Sequence, residues 1–157
     1  VLRALHDGER ELADHLDQLP VRHRDDPELA RSGPELAAWS RDHVAGLARV
    51  AHGYDLVLDP EPVEPGRLAT LGVKAGGLLG DLADDAGLRL LADLRQVYLM
   101  AAANSVDWDL LDQAARALRD DDLRDLASAC RPHTLHQMRW ANAQLTRRAP
   151  AVLSAES

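Results

Sequence analysis

The spacing of the apolar residues constrains this chain most. Leucine, alanine, valine and tryptophan recur every three or four positions over four stretches, and the strict alternation of a half-buried strand is nearly absent. β-Branched residues are few, while alanine, leucine and arginine, all good helix formers, are many. The pattern predicts four helices. The first covers about Leu2–Leu19, with the stripe Leu2, Leu5, Glu9, Leu12, Leu16 and Leu19, and Pro20 ends or kinks it. Residues 21–33 are charged and interrupted by Pro27 and Gly33, and read as a connection. Ser32 and Glu35 have the capping-box spacing, with Pro34 in the first turn, so the second helix is expected to start there. It runs to about His52 with Gly53 as its stop, and its inward stripe is Leu36, Ser40, His43, Leu47 and Val50, with Trp39 and Val44 beside it.

Pro60, Pro62 and Pro65 preclude a continuous helix over residues 55–66 and favour an extended crossover. Residues 67–84 are apolar but carry Gly72, Gly76, Gly77 and Gly80, which suggests a broken helix or an irregular packed segment. The third helix is expected from Ala86 to Leu118, with Leu90, Leu94, Val97, Ala101, Asn104, Trp108, Leu111, Ala115 and Leu118 inward. Asp120, Asp121 and Asp122 mark a turn and a helix start, where carboxylates accept from free backbone N–H groups. The fourth helix then runs to about Arg147, bent at Pro132, with Leu123, Leu126, Cys130, His133, Gln137, Trp140 and Gln144 inward. Residues 1–150 form one domain and 151–157 a loose tail.

Charge and cysteine content narrow the function classes. With 18 Lys+Arg against 26 Asp+Glu the formal net charge is −8, which disfavours nucleic acid as a partner. No run approaches the ~20 apolar residues of a membrane span, and no basic segment precedes an apolar one, so neither membrane insertion nor a signal peptide is expected. The single cysteine, Cys130, suits a reducing, cytoplasmic setting and reads as a buried inert thiol. Trp39, Trp108 and Trp140 read as core, with indole N–H groups directed at acceptors such as Asn104 or Gln137. His133 and His136 lie on one side of a helix and read as a polar-face pair, and Glu11 with His15 as a surface i,i+4 pair.

Short links within each helix pair and a long link between helices two and three describe an all-α four-helix bundle with one crossover. In that layout several polar side chains fall on the core face: Glu9, then Ser40 with His43, Asn104, and His133 with Gln137. The arrangement resembles the ferritin-like family, whose di-iron members carry Glu, Glu-x-x-His, Glu and Glu-x-x-His on successive helices. Glu9 stands at the first position, Ser40-Arg-Asp-His43 at the second, Asn104 or Asp107 at the third and Cys130-Arg-Pro-His133 at the fourth. Leu5–Leu19 and Trp39–Tyr54 also look like stretches of stress-associated ferritin-like bundles of bacteria.

The resemblance leaves two readings. In the first the chain is a bundle without a complete di-iron site, non-catalytic, working through contacts as a homo-oligomer, most simply a dimer. A buried Glu9–His43 pair, completed by Ser40 and Asn104, would then be structural. In the second, Glu9, His43 and His133 converge as a reduced mononuclear site for iron, manganese or zinc, and the chain is a metal-binding or redox protein. The first is the working expectation.

Overall fold

A computed structural model describes residues 1–61 and 85–155, and every regular element among them is helical. The elements are α1 (Leu2–Arg22), α2 (Pro27–Ala51), the short 3₁₀ turn His52–Tyr54, α3 (Ala86–Leu118) and α4 (Asp121–Ala155). The glycine-rich segment 67–84 and the prolines at 62 and 65 lie outside the described residues. None of the described helices is long and apolar enough to cross a membrane.

Helix starts follow local chemistry. Asp26 caps α2, its Oδ1 accepting from the backbone N–H of Glu28 and of Leu29, both at 3.1 Å. Pro27 takes the first helical position, where a missing N–H is harmless. This stronger signal moves the start of α2 back from Ser32 to Pro27, so Ser32, Gly33 and Pro34 are helical and the link from α1 shrinks to 23–26. Asp85 caps α3 through Leu88 N at 2.9 Å, and Asp120 caps α4 through Leu123 N at 3.0 Å. Arg119, left-handed at φ 56°, turns the chain between α3 and α4. The bounds of α3 are those the apolar stripe gives. Pro20, Pro132 and Pro150 lie inside helices, so α1 ends at Arg22 and α4 continues to Ala155, through most of the expected tail.

Each helix packs against two others, in the cyclic order α1, α2, α4, α3, leaving α1 diagonal to α4 and α2 diagonal to α3. Cross-helix partners give the directions. Arg22 and His23 at the end of α1 bind Asp93 near the start of α3, at 2.9 and 2.7 Å. Glu28 meets Gln144 at 2.7 Å, and Ser40 meets Gln137 at 2.9 Å, so α2 and α4 are antiparallel. At the other end, buried His6 faces the Asp59 carbonyl at 2.7 Å and ties the chain after α2 to the start of α1. α2 and α3 therefore point the same way.

The core is divided. One apolar half gathers Leu12, Leu16, Leu19, Leu29, Leu36 and Leu94, and the other gathers Leu5, Leu47, Trp108, Leu111, Leu123 and Leu126. Burying each leucine contributes roughly 1.5–3 kcal/mol. Between the halves lies a layer of buried polar side chains, with Glu9, Ser40, His43, Asn104, Thr134 and Gln137 all at most 3% exposed.

Helix α1 approaches α2 closely at Gly33, where a Cβ would lie 2.7 Å from the Leu16 carbonyl oxygen. Backbone cannot yield as a side-chain tip can. Gly33→Ala is expected to lose a net ~1–2 kcal/mol, since overpacking outweighs the better helix propensity of alanine. Thermal unfolding checks this, and a variant at least as stable as the parent would contradict it.

Candidate functional site: a buried polar layer

Glu9 sits at the start of the third turn of α1 with 0% exposure, and side chains from all three other helices reach it. Its Oε1 accepts from the Trp108 indole N–H at 2.8 Å and from the Thr134 hydroxyl at 3.3 Å. Its Oε2 lies 3.2 Å from His43 Nδ1, at ion-pairing distance but out of line for a hydrogen bond. The other nitrogen of His43, Nε2, is 3.2 Å from His133 Nδ1, with the two rings within 10° of parallel. His133 in turn stacks on Trp39, ring centres 4.6 Å apart, while His136 meets the same indole edge-on at 5.2 Å. The groups run in a line from Trp108 in the core, through Glu9 and His43, to partly exposed His133.

A carboxylate without exposure is costly unless its lone pairs are matched. Here two neutral donors and one imidazole surround it. The His43 and Trp108 rings also meet edge to face, with centres 5.5 Å apart and planes 82° apart. The Trp108 N–H is therefore directed to Glu9 rather than to Asn104 or Gln137. Gln137 makes its own link, donating from Nε2 to Ser40 Oγ and to the Leu36 carbonyl, each at 2.9 Å. Asn104 lies apart from the Glu9–His43 pair, its Oδ1 filling the space where Gly8 would carry a Cβ. Neither Ser40 nor Asn104 completes the pair as the sequence suggested. Asp107, the alternative on α3, is only partly buried.

Glu9, His43 and His133 are brought together, but in series. His43 stands between the other two and turns one ring nitrogen to each. An ion on either nitrogen would have the imidazole ring between it and the third residue, so the trio does not converge on a point. Among the described residues no group of three or more His, Cys, Asp or Glu is arranged to hold a metal ion.

Two groups carry displaced proton affinities relevant here. Burial, then the charge of His43, lowers the pKa of His133, with Asp42 and Glu9 pulling the other way and His136 adding to the lowering. Burial, then Glu9, pushes the Cys130 thiol up to about 12, so it stays protonated and unreactive at neutral pH. His15 does not answer to Glu11. Burial lowers its pKa first, then Arg22, with Asp93 and Asp14 opposing.

Thr134 is the participant that sequence reading missed. The inward stripe of α4 runs Cys130, Thr134, Gln137, Ala141, Gln144, in steps of four and three, and His133 lies at its edge. The signal was present in that spacing but favoured the histidine for its chemistry. Clefts of about 530, 490 and 340 Å³ share Tyr54 at one end of the bundle, and no tryptophan lines them. No protein family, curated protein or solved structure matches the chain.

Proposed function

We propose that this chain is a ferritin-like bundle without a complete di-iron site, non-catalytic, and working through contacts, first of all with a second copy of itself. The observation that carries the reading is the composition of the polar layer. A bridged metal pair in such a bundle draws on about four carboxylates, and the layer holds only Glu9, with neutral Ser40, Asn104 and Cys130 where further carboxylates would stand. The helix directions support the family layout, because parallel α2 and α3 are what a long crossover joins. A cytoplasmic, stress-associated role in a bacterium belongs to the same reading and rests on the resemblance and on the single buried thiol.

Contact work needs a surface, and α3 offers one. Its inward side is buried from Leu88 to Ala115, with Leu118 exposed at its end, yet Leu99, Val106 and Leu110, seven and four residues apart, stand on its outer side 42%, 58% and 51% exposed. Sedimentation of the parent and of a Val106→Glu, Leu110→Glu double variant tests the reading. The expected result is a dimer for the parent and a monomer of unchanged helicity for the variant. A parent that stays monomeric at high concentration would contradict it.

A further inference from the structure

The seam between α2 and α4 is the sparsest of the four between neighbouring helices, and polar ties run along it. Arg148 reaches Asp26, Gln144 reaches Glu28, Gln137 reaches Ser40, and His133 faces His43. The last of these differs in kind. A hydrogen bond between two ring nitrogens needs one N–H and one lone pair, and two N–H groups 3.2 Å apart repel. The inner ring is 1% exposed, while the outer one is open enough to exchange protons with solvent.

We propose that the His43–His133 contact is a pH-operated latch. One proton between the facing nitrogens holds α4 against α2, and a second proton releases it. The titratable and charged groups around the pair come from three helices: Glu9 on α1, Asp42 on α2, and Cys130 and His136 on α4. From α3 the neighbour is Trp108, which carries no charge. Burial and the facing His43 resist the second proton, so it enters below the ordinary imidazole range near 6.5. The unfolded chain takes up that proton first. The latch therefore contributes fully above about pH 6.5, and its contribution falls as pH drops toward the lowered native value. His15 on α1 shifts in the same direction, so global stability alone does not isolate the latch.

Amide hydrogen exchange on the full chain between pH 8 and 5, corrected for intrinsic rates, isolates it when read beside the histidine ring nitrogen shifts. The expected result is faster exchange in α4 around His133–Gln137 and in α2 around Ser40–Leu47, by up to about tenfold per pH unit. The midpoint should coincide with His133 titration, with no matching step where α1 meets α3. In His133→Gln, whose amide donates without titrating, the step is expected to vanish. In His136→Gln it is expected to remain. A step that persists in His133→Gln would overturn the proposal, as would ring titration without any change in exchange. The coincidence of midpoints in the parent decides the matter even if the glutamine packs poorly.

Discussion

Glu9→Ala is expected to lower the unfolding free energy by about 3–5 kcal/mol, the usual loss when one partner of a buried ionic pair is removed. The carboxylate is 0% exposed and holds three groups at once: the Trp108 indole N–H, the Thr134 hydroxyl and the His43 ring. Alanine leaves all three facing a gap, and His43, at 1% exposure, has no water to turn to. Glu9→Gln keeps an acceptor for Trp108 while removing the charge, so it is expected to lose less. Urea unfolding of both variants measures the difference. A loss below about 1 kcal/mol for alanine would mean that Glu9 is not the hub of the layer.

Trp108→Ala is expected to lose a similar amount, about 3–5 kcal/mol, for a different reason. Trp108 is the largest fully buried side chain and anchors the apolar half shared with Leu5, Leu47 and Leu111. Truncation opens a cavity there and strips Glu9 Oε1 of its shorter hydrogen bond. Trp108→Phe fills most of the space but lacks the N–H, so its loss, about 1–3 kcal/mol, isolates the unmatched carboxylate oxygen. Because Glu9 and Trp108 touch, the Glu9→Ala, Trp108→Phe pair should be non-additive by ~0.5–3 kcal/mol, with the second change nearly free once the first is made. Additive losses would show that the indole N–H contributes little.

Much of the fold was legible because its signals are local or periodic. The stripe of α3 gave Ala86–Leu118 directly, and Glu9 was readable as inward from the leucines at 5, 12, 16 and 19. The start of α2 was misplaced because two N-terminal signals compete, Asp26-Pro27 and Ser32-Gly33-Pro34-Glu35, and spacing alone does not rank them. Tertiary packing does. Gly33 has to be helical to let α1 approach, and Arg148 reaches across to Asp26 at the true cap. Pro20 reads as an end or kink of helix one and Pro132 as a bend of helix four, yet α1 runs on to Arg22 and α4 passes Pro150 to reach Ala155, because long helices packed on two neighbours absorb the missing bonds.

The site was half legible. The Glu9–His43 encounter follows from two stripes at one level of the bundle. What spacing does not convey is which nitrogen faces which neighbour, and that decides whether three ligand-type residues converge or queue. Helix phase matters as much: one position on α4 separates Thr134, pointing at Glu9, from His133, at the solvent edge. Cys130 was readable as inert from its place on the stripe, in keeping with a thiol pushed up to about 12.

The most direct test of the central claim, a buried polar layer built around one carboxylate in a bundle that works through contacts, is elemental analysis. The purified protein would be grown with iron, manganese and zinc, beside a Glu9→Ala, His43→Ala double variant. The expected result is substoichiometric metal in both, with a melting temperature unmoved by a chelator. About one ion per chain in the parent, lost in the variant, would contradict the account and make the layer a metal site.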